Sequence, residues 1–299
     1  MKKKIKIAVI GLGGVGGYIS ASLVKSGCDV IGFARGEHLQ QIQKSGIKIV
    51  EDDKSWIQTL NVKNLDDADG YFDIVLFCVK SYDLIESYKK ISSYIDEKSI
   101  LLTLSNGVSN EGILRELSNS IVVDSCIYIL SHIQENGVIR KKGKVFATVI
   151  GGKNIEAVLK IKDMFERAKL RVKVDQDIQT ALWKKYIFIS AFATLTSYYN
   201  NSIGYIYKFH KDEAIALLNE IASVAKSLDI DIFDEVEKSI ITASKVPYNS
   251  STSMYLDFQK GRKNEVDILS GHIVNLAKKN NVLTPIMDKM YIKLKGLVK

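Results

Sequence analysis

Residues 4–16 read KIKIAVIGLGGVG, and this stretch decides the fold. Its apolar first half, ending at Ile10, is typical of a short buried strand, and the residues after Gly16 are typical of a helix. Between them lies a G-x-G-x-x-G motif, in the context that a dinucleotide site requires. In such a motif Gly11 allows a tight turn, Gly13 lets a pyrophosphate approach the backbone, and Gly16 lets the helix pack on the strand.

A plain strand–helix turn would use the same glycines, so the motif alone decides little. Here the strand, the helix and a second strand all stand where dinucleotide binding needs them. The N-terminus of the helix also offers backbone N–H groups to phosphates. We therefore expect the cofactor loop to consist of Gly11, Leu12, Gly13, Gly14, Val15 and Gly16.

The second predicted strand, residues 29–34, is followed by Arg35. An acidic residue at this place would hold the ribose 2′-hydroxyl of NAD, whereas an arginine favours the 2′-phosphate of NADP. The sequence therefore predicts that Arg35 binds the cofactor and that the cofactor is NADP(H). The alternative is an ordinary solvated arginine, a common surface residue.

The size and charge of the chain limit its partners. Its 299 residues suggest two domains of about 100–200 residues each. The net charge of +8 raises nucleic acid or a membrane surface as partners, but the lysines are scattered among acidic residues. An anionic cofactor and a small anionic substrate also account for local positive charge. We therefore expect a small metabolite, with no nucleic acid and no membrane.

The cysteines and the apolar segments bear on the compartment. Cys28, Cys78 and Cys126 are odd in number and form no C-x-x-C pair, which favours reduced thiols in a cytoplasmic protein. The N-terminus has no secretory pattern. Residues 186–207 carry no charge, but they include threonines, asparagines and Gly204, so a buried helix followed by a turn fits better than a membrane span.

Residues 1 to about 150 alternate short β-branched segments with helical ones, which predicts a parallel sheet with helices on both faces. A hairpin is expected from residues 137–140 and 144–150, followed by a helix over 155–168 and a last strand over 171–174. The remaining strands are predicted at residues 5–10, 29–33, 47–50, 74–79, 100–104 and 121–126.

From Asp175 onward helical periodicity dominates, for example over residues 215–228 and 266–277. We therefore predict an α/β protein. A doubly wound, Rossmann-type NADP(H)-binding domain spans residues 1–174, and an all-helical substrate and dimerisation domain spans 175–299. Four tyrosines of the helical part form either core or the surface of a homodimer, and the sequence leaves both open: Tyr198, Tyr199, Tyr205 and Tyr207.

Polar residues follow two predicted strands of the sheet. Lys80 follows the fourth strand, and Asn106-Gly107 follows the fifth, on the same edge as the glycine loop. Ligands bind outside the carboxyl ends of strands in such sheets. Lys80 can neutralise a carboxylate or phosphate, and Asn106 can bond a ribose or a substrate oxygen. The alternatives are a solvated lysine and a plain Asn-Gly turn.

Two charged residues of the helical part are further candidates. Lys185 shares a predicted helix face with Leu182, Tyr186 and Ile189, whereas Lys184 points about 100° away. A partly buried lysine can act as an acid, although helix geometry alone favours a snorkelling side chain. Glu265 opens a later helix, where the helix dipole by itself favours a carboxylate.

In combination and order these residues resemble the ketopantoate reductase (2-dehydropantoate 2-reductase) family over essentially the whole chain. The family has the G-x-G-x-x-G start, a lysine and an Asn-Gly after the fourth and fifth strands, a Leu-Trp-x-Lys segment, and a Ser-Ser-Met…Asp…Glu-Ile-Asp segment. In this chain the last two stand as Leu182-Trp183-Lys184-Lys185 and as Thr252-Ser253-Met254…Asp257…Glu265-Val266-Asp267.

The resemblance implies NADPH-dependent reduction of a small anionic 2-oxo acid in a cleft between the two domains. It implies that Lys185 is the general acid, that Glu265 orients that lysine or the cofactor, and that Ser253 bonds the substrate carboxylate. It further implies that Asn106 positions substrate and cofactor, and that Lys80 holds the acid or the cofactor. Hydride addition builds negative charge on the ketone oxygen, which a nearby acid stabilises.

The chain departs from the family pattern at two positions. Well-studied members carry substrate-binding asparagines where this chain has Ile189 and Ala193. Two alternatives therefore stay open: a reductase of another, less polar 2-oxo acid or ketone, and a non-catalytic NADP(H)-sensing protein. No metal is expected, because the four histidines lack metal-ligand spacing and suit surface or capping positions: His38, His132, His210 and His272.

Overall fold

The computed structural model describes residues 4–297 and divides into two compact units. The first contains the residues up to Ser105 together with Ser109–Ile178. The second contains Asn106–Val108 and the chain from Gln179 onward. The predicted α/β class, with a Rossmann-type N-terminal part and a helical C-terminal part, is confirmed. The boundary after residue 174 stays a prediction.

The first unit is built on one mixed sheet. Its strands are β1 (Lys6–Ile10), β2 (Asp29–Phe33), β3 (Ile47–Val50), β4 (Ser55–Gln58), β5 (Asn61–Lys63), β6 (Ile74–Phe77), β7 (Ile100–Thr103), β8 (Ile121–Glu135), β9 (Val138–Gly151) and β10 (Val172–Val174). The order is β4-β3-β9-β8-β7-β6-β1-β2-β5, with β10 paired to β9. All pairings are parallel except β3–β4 and β8–β9.

Helices cover both faces of the sheet, as the sequence predicts. They are α1 (Gly14–Lys25), α2 (Gly36–Ser45), α3 (Leu84–Ile91), α4 (Asn110–Leu117) and α5 (Ile155–Arg167). Every residue of β6 and β7 is buried, which explains why β6 is apolar throughout and β7 is apolar up to Thr103. Alternate residues of β1 enter different cores, since Ile7 and Val9 pack on one face and Ala8 and Ile10 on the other.

Three details of the predicted sheet are wrong. The sequence pattern does not predict the short strands β4 and β5, and the sheet is not wholly parallel. The predicted hairpin between residues 137–140 and 144–150 is absent, because residues 138–140 and 144–150 both belong to β9, and Gly137 lies in the turn that joins β8 to β9. The pairing shifts between Ile129↔Phe146 and Ser131↔Lys141, so residues 142–145 bulge out. Their glycine and lysines therefore mark a bulge rather than a turn.

The second unit consists of helices and connecting loops, with no strand among its described residues. Its helices are α6 (Ile178–Tyr199), α7 (Ile203–Phe209), α8 (Lys211–Lys226), α9 (Asp234–Lys245), α10 (Ser253–Gln259), α11 (His272–Lys279) and α12 (Pro285–Gly296), with a π-helix over Asp267–Gly271. The uncharged residues 186–207 form the C-terminal part of α6, a turn at Asn200 with a φ of 54°, and most of α7. Within residues 4–297 no helix is long and apolar enough to cross a bilayer.

Candidate active site

The glycine loop has the geometry that its motif predicts. Gly11 has a φ of +91°, and a Cβ there would lie 2.9 Å from a methyl of Val79. A side chain on Gly16 would collide with the carbonyl of Gly11. The corresponding position on Gly13 faces open space, with no heavy atom within 4 Å. The loop is therefore closed on the protein side and open at Gly13, as the approach of a pyrophosphate to the backbone requires.

Gly14 has a role that the motif alone does not reveal. A Cβ on Gly14 would lie 2.5 Å from the carbonyl oxygen of Ser131, so the first turn of α1 packs directly on the backbone of β8. This turn carries no acidic residue, and no side chain caps it. Its first backbone N–H groups lack intrahelical acceptors by helix geometry, so the residues present fit an anionic dinucleotide.

Arg35 lies at the same edge of the sheet as the glycine loop. Ile10 pairs with Phe33, and the N–H of Gly11 donates to the carbonyl of Phe33 at 3.0 Å. The Arg35 side chain is 86% exposed, and its guanidinium lies 3.4 Å from a carboxylate oxygen of Asp83. A guanidinium here can bind a 2′-phosphate, but Asp83 competes for it. No local sequence pattern distinguishes Asp83 from other surface carboxylates.

Lys80 also lies at this edge. It follows β6, whose last residue, Phe77, pairs with Ile10 of β1 and with Thr103 of β7. Lys80 is half-buried and precedes a short 3₁₀ turn over Ser81–Asp83. The chain therefore carries this lysine to the carboxyl ends of the central strands, where the predicted role requires it to be.

Lys185 and Asn106 are in contact within the second unit. The Lys185 Nζ donates a hydrogen bond to the Asn106 Oδ1 over 3.3 Å, and the lysine is half-buried on α6. The asparagine oxygen accepts from the ammonium, so the amide N–H groups of Asn106 are not used in this hydrogen bond. This pair combines a proton donor with a neutral hydrogen-bond donor, a combination suited to a carbonyl oxygen that gains negative charge.

The side chains on one stripe of α6 form hydrogen bonds with the π-helix. The Tyr186 hydroxyl lies 2.6 Å from the carbonyl of Ile268 and 3.0 Å from that of Leu269. Ser190 donates to the carbonyl of Leu269 at 2.7 Å, and Thr194 lies at the same distance from the hydroxyl of Ser270. A π-helix disrupts the regular i→i−4 pairing, and these side chains satisfy its carbonyls. They are therefore engaged in packing.

The neighbouring stripe of α6 carries Lys185 and, one and two turns later, Ile189 and Ala193. Ile189 is half-buried, whereas Ala193 is only 3% exposed. Neither side chain can donate or accept a hydrogen bond. The polar residues nearby on the helix, Ser190 and Thr194, are used by the π-helix. The surface beside Lys185 on this stripe is therefore apolar.

Glu265 lies immediately before this π-helical segment. It is 1% exposed, and its backbone carbonyl accepts from the N–H of Leu269 at 2.8 Å. A carboxylate at the start of a helix is common, but one this deeply buried requires polar partners. The same segment is held by Tyr186, the residue next to Lys185, so a short chain of contacts connects Glu265 to α6.

Ser253 stands apart from these contacts. It is exposed at the first residue of α10, while its neighbour Thr252 caps the helix by accepting from the N–H of Tyr255 at 3.3 Å. Thr252 also lies 2.8 Å from the hydroxyl of Thr196 on α6. The roles of Ser253, Lys80, Lys185, Asn106 and Glu265 in binding and catalysis stay predictions.

A buried carboxyl group follows the Asn106 loop and was missed. Glu111, in the first turn of α4, is 3% exposed and accepts a hydrogen bond from the Thr103 hydroxyl at the end of β7. Burial raises its pKa to about 7. Among the described residues its second oxygen has no hydrogen-bond partner. An acidic residue in a first helical turn looks ordinary in sequence, so only its burial distinguishes it.

Comparison with known proteins gives consistent matches. The family profile "Ketopantoate reductase PanE/ApbA" matches residues 7–154, and its C-terminal counterpart matches residues 177–298. The chain is 26% identical over 297 residues to the uncharacterized oxidoreductase YkpB of Bacillus subtilis, covering 97% of this chain and 98% of the relative. It is 29% identical over 309 residues to the 2-dehydropantoate 2-reductase of Pyrococcus abyssi, covering 99% and 97%.

A solved structure of the same family has a similar fold. The PanE/ApbA family ketopantoate reductase from Ralstonia eutropha JMP134 superposes with a TM-score of 0.91 at 25% identity, over 98% of each chain.

Proposed function

Because the chain belongs to the ketopantoate reductase family, and is therefore an oxidoreductase that acts on CH–OH groups with a nicotinamide cofactor, we propose that it reduces 2-dehydropantoate (ketopantoate) to pantoate with NADPH. The observation that carries this proposal is the hydrogen bond between the Lys185 ammonium and Asn106 on an otherwise apolar stripe of α6. It supplies an oriented acid of the type that ketone reduction needs.

The preference for NADPH rests on Arg35. A 2′-phosphate adds negative charge at the end of β2, where the exposed guanidinium can pair with it. The pyrophosphate would contact the N–H groups of the glycine loop and of the first turn of α1. Lys80, at the carboxyl end of β6, would add a second positive charge at this edge of the sheet.

The proton in the reaction comes from Lys185. When bound, NADPH supplies the hydride that the ketone carbon receives. As charge builds on the ketone oxygen, the Lys185 ammonium transfers a proton to it, which completes the 2-hydroxy acid. Asn106 holds the lysine and offers its amide N–H groups to the substrate, Ser253 bonds the carboxylate, and Glu265 fixes the orientation of lysine or cofactor.

Ile189 favours a second candidate substrate class. The apolar stripe beside Lys185 lacks the side-chain hydrogen bonds that a hydroxylated 2-oxo acid would use. A 2-oxo acid or ketone with an apolar side chain would bury its carbon atoms there at no cost in unpaired polar groups. A protein that only senses NADP(H) is the third possibility, and it would have no use for an oriented Lys185.

The test is to follow NADPH oxidation at 340 nm with ketopantoate, and with a panel of apolar 2-oxo acids, using NADH as the cofactor control. We expect Lys185→Ala to abolish turnover while leaving NADPH affinity unchanged. The matched control is Lys184→Ala, because Lys184 lies on the same helix but faces Glu235 at 3.8 Å. Turnover of ketopantoate would place the protein in pantothenate synthesis.

Two outcomes would contradict the proposal in different ways. Turnover of an apolar 2-oxo acid without ketopantoate would replace the substrate and keep the reaction. Tight NADPH binding with no turnover of any carbonyl compound would favour the sensor. A homodimer and a cytoplasmic location stay predictions.

A further inference from the structure

His38 connects the glycine loop to a distant turn of the sheet. It lies in the first turn of α2, three residues after Arg35, and its ring is half-buried. Its Nε2 lies 2.9 Å from the carbonyl oxygen of Leu12 in the glycine loop. Its Nδ1 lies 3.1 Å from the backbone N–H of Gly137 in the β8–β9 turn. The ring therefore spans two backbone segments that are far apart in sequence.

These two contacts fix the protonation state of the ring. A carbonyl oxygen can only accept, so the Nε2 carries the proton that it donates to Leu12. A backbone N–H can only donate, so the Nδ1 is unprotonated and accepts from Gly137. The imidazole is therefore neutral. Burial, which lowers the pKa of His38, acts in the same direction, against the opposing effect of the hydrogen bond to Leu12.

The turn that anchors His38 is itself held in place. The carbonyl of Gly137 accepts from the N–H of Lys48 on β3 at 2.8 Å. The side-chain amide of Asn136 donates to the Glu37 carboxylate on α2 at 2.9 Å. Gly137 has a φ of +80°, which suits the tight Asn-Gly turn. His38 therefore connects the glycine loop, through two hydrogen bonds, to a hairpin turn that is itself held in place.

The hydrogen bond to Leu12 has a direct consequence for Gly13. In a trans peptide the C=O of one residue and the N–H of the next point in opposite directions within one plane. The carbonyl of Leu12 is turned toward His38, so the N–H of Gly13 is turned away from it. Gly13 is also the loop position whose Cα is open to solvent. The ring thus sets the direction of the N–H at the open side of the loop.

We propose that His38 is a positioning residue of the dinucleotide site, which orients the Leu12–Gly13 peptide so that the Gly13 N–H is directed at the pyrophosphate of the cofactor. This inference rests on the nicotinamide-cofactor part of the proposed function and is independent of the carbonyl substrate. It predicts that His38 matters for ligands with a pyrophosphate and not for ligands that reach Arg35 alone.

The experiment measures affinity by calorimetry for NADPH and for adenosine 2′-phosphate, which has no pyrophosphate. We expect His38→Phe, which keeps the ring shape without hydrogen bonds, to weaken NADPH binding by roughly five- to tenfold. Adenosine 2′-phosphate should change by less than about twofold, since loss of an unrelated contact is near neutral. His38→Gln, whose amide N–H can reach Leu12, should restore most of the NADPH affinity.

Controls separate this role from a general loss of structure. His210→Gln alters a histidine of the second unit and should leave both affinities unchanged. If His38→Phe fails to fold, His38→Asn takes its place, because its short side chain can accept from Gly137 without reaching Leu12. The tautomer is checked separately by long-range ¹H–¹⁵N correlation of the ring, where a proton on Nε2 is expected.

Three results would overturn the inference: unchanged NADPH affinity in His38→Phe, an equal loss for both ligands, or a ring protonated on Nδ1. The proposed function fails in a different way. If the unmodified protein binds neither NADPH nor NADH, no cofactor site exists and both proposals fall. If it binds and turns over ketopantoate while His38→Phe behaves normally, only the role of His38 is refuted.

Discussion

Glu111 is expected to make the first unit less stable as the pH rises through neutrality. Its pKa is raised by burial from an ordinary value of 4.5 to about 7, so the folded protein holds this proton more tightly than the unfolded chain. Stability from the protonated group is therefore fully present below pH 4.5 and is lost as the pH passes 7. Between pH 5 and 8 the loss amounts to roughly 2–3 kcal/mol in the free energy of unfolding.

Glu111→Gln should remove this dependence. The glutamine oxygen can still accept from the Thr103 hydroxyl, and the side chain stays neutral at every pH. We expect the variant to lack the loss between pH 5 and 8, so that its advantage over the parent protein grows with pH. His38 and His272, whose pKa values burial lowers, contribute with the opposite sign at acidic pH, but they cancel in the difference between the two proteins.

The assay is urea unfolding at several pH values, followed by the fluorescence of Trp56 on β4. The chain has only two tryptophans, and the other, Trp183, lies in the second unit. A Trp183→Phe background therefore makes the signal report on the first unit, which avoids treating two units as one transition. A difference between Glu111 and its glutamine variant that stays constant from pH 5 to 8 would refute the reasoning.

Three further predictions follow from single contacts. Gly14→Ala should lower the melting temperature of the first unit and weaken NADPH binding, because its Cβ would lie 2.5 Å from the carbonyl of Ser131; an unchanged melting temperature would contradict this packing. Asp83→Asn should raise the affinity for NADPH several-fold relative to NADH, as measured by calorimetry, since it releases Arg35 from its ion pair; an unchanged ratio would exclude competition. Tyr186→Phe should cost about 1–3 kcal/mol in unfolding free energy, because the Ile268 carbonyl loses its side-chain donor while the Leu269 carbonyl still accepts from Ser190; an effect near zero would refute that account.

The parts of the fold that the sequence predicts are those set by local periodicity. The apolar residues of β1, β6 and β7 arise because both faces of these strands are buried, and the glycine motif predicts the junction between β1 and α1. The strand β9 was misjudged because its lysines and Gly143 look like a turn locally. Pairing with β8 keeps the segment extended and expels residues 142–145 as a bulge, which is a tertiary effect.

The candidate site also contains some residues that the sequence predicts and others that depend on tertiary contacts. Lys185, Asn106 and Arg35 could be named from their positions after strands or on a helix face. Asp83 and Glu111 could not be predicted in this way. Asp83 lies beside Arg35 only because two loops meet at the edge of the sheet, and the pKa of Glu111 depends on burial that no local pattern shows. His38 looked like a surface or capping residue, and its actual bonds to two backbone segments depend on how the hairpin returns to α2.

Two stripes of α6 make different contacts, and this difference affects how the protein could diverge from its relatives. The stripe with Tyr186, Ser190 and Thr194 is bonded to the π-helix, so a shift of α6 by one residue would break all of these bonds at once. The position of Lys185 is thereby fixed independently of the half-buried side chain at Ile189. Under the proposed mechanism, a substitution at Ile189 is therefore expected to change the surface offered to the substrate without moving Lys185, the proposed acid.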